Sequence, residues 1–289
     1  MRTIAPAKIN WTLEVLGRRE DGYHEIRSVM QTIELCDELS VERSEMSVFE
    51  TVDGERLADD DLVVQAARAL EERVGRALPA RIRLEKLIPT ASGLGGGSSD
   101  AAGVIRGLDR LWGLGWDNKR RAEGAAKIGS DVTFFLFGGT ALAEGRGERV
   151  TPLPDAPTAW LVLLVPPMKL RDKSKRMYEA ITGEDFGDGA RTHELSRSLR
   201  RGLAVREKGL CNAFERVAYR VCDGLERYRD ALMAAGAEAA HLAGAGPGLF
   251  TLAESEAKAK GLAERVQARE GKVFVTRTLS AQEATEVTD

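Results

Sequence analysis

Cysteine is scarce in this 289-residue chain, which has only Cys36, Cys211 and Cys222 and no CxxC pair. An odd count without metal-ligand spacing argues against a disulfide framework and a cysteine-based zinc cluster, and points to a reducing compartment. Long hydrophobic runs are missing too, since no apolar stretch approaches the ~20 residues that cross a bilayer. The opening segment, MRTIAPAKINWTLEVLG, lacks the basic region and apolar core of a signal peptide, so a cytoplasmic location is expected. Nor is there an excess of positive charge. Lys and Arg total 42 against 45 Asp and Glu, a net charge of -3, which leaves no broad cationic field to hold nucleic acid or an anionic membrane. Neither partner is expected. The remaining composition, 43% hydrophobic and 30% charged, is that of a folded chain long enough for one large or two medium domains.

Two familiar nucleotide-binding signatures are absent as well, because neither GxxxxGK[ST] nor GxGxxG occurs anywhere. In their place stands Gly93-Leu94-Gly95-Gly96-Gly97-Ser98-Ser99, four glycines within five positions. Behind it Ala101, Val104, Ile105, Leu108, Leu111 and Trp112 share one helical stripe, which predicts a helix starting just after Ser98, Ser99 and Asp100. Glycines let a ligand approach the backbone N–H groups, and a helix N-terminus adds unpaired donors and a positive dipole end. Phosphate is the natural occupant. A tight, close-packed turn is the competing explanation, but such a turn rarely needs so many glycines together with two hydroxyls.

Alternation predicts a strand over Ile4–Leu16, followed by a loop, GRREDGYHEI, and an extended stretch from Ser28 to Val41 with turn-type residues around Asp37 and Glu38. Helical spacing covers Leu62–Val74 behind the capping candidates Asp59, Asp60 and Asp61. A strand over Arg81–Leu87, a helix over Lys119–Lys127 and an apolar run within Asp131–Leu142 come next. Three prolines in Thr151–Thr158 mark a linker, which divides the chain into residues 1–153 and 154–289. The second part reads as a buried strand at Trp160–Val165, a polar loop at Thr182–Thr192 and a helix over Cys211–Ala235. The glycine loop LAGAGPGLF, a helix over Glu254–Ala268 and a strand over Lys272–Thr278 complete it. Strand, helix, strand at the end forms one crossover unit of an α+β domain.

Lys8, within APAKIN, and Asp131, ahead of the apolar run Val132–Phe137, each have an ordinary explanation, a solvated strand-edge lysine and a helix cap. Brought together beside a phosphate loop they would have a purpose: the ammonium stabilises anionic charge while the carboxylate accepts a hydroxyl proton.

PAKIN, DGYHE, IPTASGLGGGSSDAA, GSDVTFF and LAGAGPGLF, in this order and spacing, resemble the GHMP kinases over nearly the whole chain. The first four together are similar to the branch of that superfamily that acts on a cytidine diphosphate derivative of methylerythritol. The resemblance implies an α+β, two-domain GHMP kinase fold, with an N-terminal domain like domain 2 of ribosomal protein S5, a ferredoxin-like C-terminal domain and the active site between them. It implies ATP-dependent phosphorylation of the methylerythritol 2-hydroxyl in non-mevalonate isoprenoid precursor biosynthesis, with ATP as co-substrate and Mg2+ accompanying it. Lys8 and Asp131 become the catalytic pair and Asn10 lies beside the substrate. Tyr23 and His24 of DGYHE belong to the cytidine site, where Tyr23 and Tyr178 sandwich the cytosine. Asp61, Pro89, Gly93, Leu94, Gly95, Gly96, Gly97, Ser98 and Ser99 form the ATP site, and Gly244 and Gly246 lie in a phosphate or substrate loop. Ser98 or Ser99 is a candidate contact for the metal, with no ligand assigned.

Three positions depart from the family pattern. Thr133 stands where proline is usual, which should loosen that turn. The loop Ala243-Gly244-Ala245-Gly246-Pro247-Gly248 lacks the usual serine and threonine hydroxyls and keeps only backbone donors. Asp61 replaces an adenine-facing asparagine, retaining an acceptor and losing the amide donor; it could equally serve only as a helix cap. A kinase acting on homoserine or mevalonate is the first alternative, but neither substrate carries a base for DGYHE to recognise. A catalytically silent nucleotide-binding regulator is the second, and the presence of both Lys8 and Asp131 speaks against it. A monomer or weak homodimer with small-molecule partners only is expected.

Overall fold

The computed structural model describes residues 1–168, 172–266 and 271–289. Two strands far longer than usual, β1 (Arg2–Arg18) and β2 (His24–Arg43), pair antiparallel along nearly their whole length. The alternating pattern extends beyond its predicted ends, so the expected ten-residue loop shrinks to residues 19–23. Asp37 and Glu38 do not turn the chain. β2 runs through them, and fully buried Asp37 accepts the N–H groups of Leu87 and Ile88 at 2.6 and 2.8 Å, which is why a turn-forming residue tolerates a strand interior.

The chain continues through β3 (Val48–Thr51), α1 (Leu62–Val74), β4 (Ala80–Glu85), α2 (Gly96–Leu111), α3 (Asn118–Ala122), α4 (Ala125–Ile128), α5 (Val132–Phe137), β5 (Thr140–Gly145) and β6 (Arg149–Pro152). Then come β7 (Trp160–Val165), α6 (Lys173–Ala180), α7 (Ala190–Arg200), β8 (Cys211–Asn212), α8 (Glu215–Val221), α9 (Glu226–Ala234), β9 (His241–Leu242), β10 (Leu249–Ala253), α10 (Glu256–Arg265), β11 (Lys272–Arg277), α11 (Ala281–Ala284) and β12 (Val287–Thr288). Several of these correct the sequence reading. α2 starts at Gly96 rather than after Asp100, because Gly95 takes the left-handed N-cap conformation and Gly96 through Asp100 build the first turn. The single helix expected over Lys119–Lys127 is two, broken at the left-handed Gly124. The helix expected over Cys211–Ala235 begins as a short strand beside β1 and splits into α8 and α9 near Gly224, another positive-φ residue. α7 begins inside the predicted loop, since buried Glu14 of β1 accepts the N–H groups of Gly189 and Thr192 at the start of that helix. α10 is shorter than expected at its start, and positions 267 and 268 of the expected helix lie outside the described residues.

Two sheets result. In the first, β2 has β1 on one side and, on the other, β5 along residues 26–31 and β4 along residues 38–43. The second follows the order β11-β7-β10-β9, all antiparallel. Counted within this part of the chain that order is 4-1-3-2 with a strand–helix–strand–strand–helix–strand connection, the ferredoxin-like arrangement. The chain passes from the first sheet to the second across the proline-rich stretch, and returns twice, as β8 and β12 pair with β1. The sheets also share a core. Leu161, Leu163 and Phe250 pack with Ile9 and Trp11 of β1, the Trp11 and Phe250 rings meeting edge to face at 6.0 Å.

Candidate active site

Lys8 is no strand-edge lysine. β1 is covered on both faces, Lys8 is only 5% exposed, and its backbone N–H donates to Leu94 O at 2.9 Å, tying the strand to the glycine loop. Its ammonium donates to Asn10 Oδ1 at 2.9 Å and lies 3.7 Å from Asp131 Oδ2. Asn10 Nδ2 donates to Ser28 Oγ at 2.7 Å, and Ser28 donates to Thr12 O, so a buried chain of hydrogen bonds orients the lysine. Asp131 occupies the N-cap position of α5 without making a side-chain capping bond. Its carboxylate is therefore free for Lys8. Thr133 sits in the first turn of an intact α5 and leaves Asp131 in this position.

The two glycine loops meet directly beside this pair. A methyl group on Gly93 would lie 2.1 Å from Ala243 O, and one on Gly244 2.8 Å from Gly93 O, both from positive-φ backbone. Gly248 N–H donates to Ser92 O at 2.9 Å. Asn212, which the sequence reading did not single out, donates to the carbonyls of Leu242 and Gly244 and holds the second loop in place. The loop keeps fewer backbone donors for a ligand than expected, because Ala243, Gly246 and Gly248 spend their N–H groups on carbonyls within the two loops. Among the described residues, the amides of Gly244 and Ala245 take no such partner. Lys173, also unremarked in the sequence, opens α6 and donates to Ala91 O at 3.0 Å and to Gly246 O.

On one side of this junction lies a cleft of about 790 Å³ lined by Asp61, Lys86, Pro89, Gly95, Gly97 and Ser98. The first N–H groups of α2 open into it without intrahelical acceptors. Ser98 and Ser99 part company, because successive residues of a helix point about 100° apart: Ser98 lines the cleft, whereas Ser99 is fully buried with its Oγ unpartnered. Leu94 likewise turns its side chain into the core and contributes to the site through its carbonyl. Beneath Gly96, Lys86 bridges buried Asp37 and Asp100, the latter at 2.6 Å, and burial pushes the Asp100 carboxyl up against the pull of that ammonium. Asp61 Oδ1 accepts from Val63 N at 2.8 Å and caps α1.

On the other side is an aromatic cleft of about 720 Å³. The Tyr178 and His24 rings stack with centroids 5.2 Å apart, Phe214 backs Tyr178 edge-on at 4.8 Å, and Phe186 approaches His24 at 6.2 Å. Tyr23 lies at the rim, 56% exposed, with the Arg146 guanidinium over its ring. Tyr178 thus faces His24, not Tyr23. Burial, with help from Arg18, lowers the pKa of His24, so at neutral pH its ring keeps one donor and one acceptor. Arg146, Ser174 and Tyr178 also line the central pocket with Lys8 and Asp131. The nucleotide-sized cleft, the Lys8–Asp131 pair and the aromatic cleft are therefore continuous.

The family model described as the GHMP kinases N terminal domain matches residues 61–139, and that of the GHMP kinases C terminal matches residues 188–272. A 4-diphosphocytidyl-2-C-methyl-D-erythritol kinase of Dehalococcoides mccartyi is 44% identical over 91% of each chain. The chain belongs to the 4-diphosphocytidyl-2-C-methyl-D-erythritol kinases, within the GHMP kinase family. A crystal structure of a 4-(cytidine 5'-diphospho)-2C-methyl-D-erythritol kinase superposes with a TM-score of 0.81 at 34% identity, covering 96% of this chain and 99% of that one. A homoserine kinase from Cytophaga hutchinsonii, at 17% identity and a TM-score of 0.74 over 97% and 94% of the two chains, shares the fold alone. Membership makes the chain a phosphotransferase with an alcohol group as acceptor and ATP as co-substrate, on the α+β GHMP kinase fold.

Proposed function

We propose that this chain transfers the γ-phosphoryl group of ATP to the 2-hydroxyl of 4-diphosphocytidyl-2-C-methyl-D-erythritol, with Lys8 and Asp131 as the catalytic pair. The observation that carries this reading is the buried Lys8, 3.7 Å from Asp131, at the junction of a glycine-loop cleft and an aromatic cleft. Asp131 accepts the hydroxyl proton as the oxygen attacks phosphorus, and Lys8 stabilises the charge on the attacking and transferred oxygens. Asn10 holds Lys8 in line. ATP lies in the cleft formed mainly by residues 1–153, which Ser174 of α6 also lines, its phosphates against the N-terminal turn of α2; the cytidine lies where residues 154–289 supply Tyr178. Arg146, between the two clefts, suits the diphosphate that joins base to alcohol. Magnesium belongs to the same proposal. The Ser98 hydroxyl lines the pocket with Asp131, and oxygen donors of this kind fit a hard cation carried by the ATP phosphates, whose charge neutralises the phosphoryl oxygens.

A coupled assay for ADP release with the cytidine substrate, homoserine and mevalonate tests this function. Release with the cytidine compound alone is expected; release with none of the three would leave the silent regulator standing. Base recognition has its own test. Entry of cytosine between Tyr178 and Tyr23 requires His24 to leave the Tyr178 face and read the base edge. Tyr178→Ala should raise KM for the cytidine substrate ~10-fold or more, since stacking contributes roughly 1–3 kcal/mol per base, while KM for ATP stays unchanged. Equal losses for both substrates would assign Tyr178 to packing instead.

Asp61 supports a narrower prediction. One carboxylate oxygen caps α1, and an asparagine would cap it equally well, so Asp61→Asn should leave Tm unchanged. An amide would also donate to an adenine ring nitrogen that a carboxylate repels. We expect KM for ATP to fall a few fold, about 1 kcal/mol, with no change for the alcohol. An unaltered KM for ATP would reduce Asp61 to a cap.

A further inference from the structure

Among the described residues, three cations line the central pocket: Lys8, Arg146 and Lys173. Lys8 is engaged by Asn10 and Asp131, and Arg146 lies over Tyr23 toward the aromatic cleft. Lys173 differs from both. It is 9% exposed, and its ammonium is held by two backbone carbonyls, Ala91 O from one glycine loop and Gly246 O from the other. Among the described residues, the charged and titratable groups that act on it are Lys8 from β1 and Cys222 at the end of α8, and no carboxylate is among them. A buried ammonium held by neutral carbonyls has no counter-charge in them and has a third N–H to offer. Burial first, and repulsion from Lys8 second, bring its pKa down to about 8. Such a group is poorly stabilised until an anion arrives. The adjoining loop offers that anion little else, since residues 243–248 carry no polar side chain and three of their amides are already used.

We propose that Lys173 binds the γ-phosphoryl group of ATP and, with Lys8, stabilises the negative charge on that group during transfer. The inference rests on the kinase reading above and adds to it a cation supplied by α6 and positioned by both glycine loops. Its position at the loop junction has a consequence for selectivity. A contact to the terminal phosphate distinguishes ATP from ADP, whereas a strut that only joins the loops does not.

The test compares the native protein with Lys173→Gln and Lys173→Met. Glutamine offers a neutral amide to the same carbonyls, so it retains hydrogen bonding to the loops and removes the charge. Calorimetric binding of ADP and of the β,γ-imido analogue of ATP needs no alcohol substrate and is independent of turnover. In both variants the analogue should bind ~10-fold or more weakly, ADP should change by less than about twofold, and kcat should fall ~100-fold, in the range of removing a charge-stabilising donor. Equal weakening of ADP and analogue, or native-like analogue binding by Lys173→Gln, would overturn the proposal. Should both variants fail to fold, the native protein decides. Its preference for the analogue over ADP should decline as pH rises through about 8, where Lys173 loses its charge, and a preference constant from pH 7 to 9.5 would equally overturn it. Loss of alcohol phosphorylation with the binding pattern intact would count against the proposed substrate, not against Lys173.

Discussion

Asp131→Asn should lower kcat by about two to four orders of magnitude while leaving Tm and both KM values close to native, the range for removal of a general base. The structure explains why this substitution isolates chemistry from stability. Asp131 occupies an N-cap position but makes no side-chain capping bond, so the isosteric amide removes nothing from α5. Its side chain is 31% exposed and its carboxylate faces Lys8 across 3.7 Å, so the amide loses proton acceptance and the pairing with that ammonium. Lys8→Met should also cut turnover, though less cleanly, because it strips buried Asn10 Oδ1 of its donor. Steady-state kinetics with both substrates varied, beside a melting curve, checks the prediction. Activity of Asp131→Asn within about threefold of native would remove Asp131 from the role of base.

The second large effect is structural. Gly93→Ala places a methyl group 2.1 Å from Ala243 O and 2.9 Å from Gly246 O, from a backbone with φ near +89°. Both obstacles are backbone, so neither can rotate away. The left-handed conformation costs roughly 1–2 kcal/mol for a residue with a side chain, and the overlap adds roughly 1–3 kcal/mol as the loops are forced apart. A Tm lower by roughly 5–15 °C is expected. Separating the loops also disrupts the Gly248–Ser92 hydrogen bond and the carbonyls that hold Lys173, so ATP binding should weaken with stability. Gly202→Ala is the control, having a comparable φ of +72° and open space around the missing methyl. Equal Tm losses in the two variants would show that only backbone conformation matters at Gly93.

Several elements were legible in short stretches of sequence. The apolar stripe of Leu62–Val74 produced a helix with those bounds, the alternation after Ile4 produced a strand, and Asp61 capped the helix behind it. These signals are short-ranged, because a helix face or a strand face is defined by residues a few positions apart. The same range explains the failures. Gly124 and Gly224 interrupted runs with good helical spacing, and Glu14, distant in sequence, started α7 inside an expected loop. The glycine run was legible as a phosphate site, but which of its serines faces the cleft depended on where α2 began.

The encounter of distant groups came from long-range packing. Lys8 and Asp131 had ordinary readings alone, and it is the burial of β1 between other elements that turned a nominal edge lysine toward an uncapped carboxylate. Asn212 and Lys173 gave no local sign of function, since a lone asparagine and a lysine within a polar stretch belong to no recognisable motif. Their roles arise because the two loops meet at glycines, which lets their backbones touch and leaves carbonyls of Ala91, Leu242, Gly244 and Gly246 to buried donors from other elements.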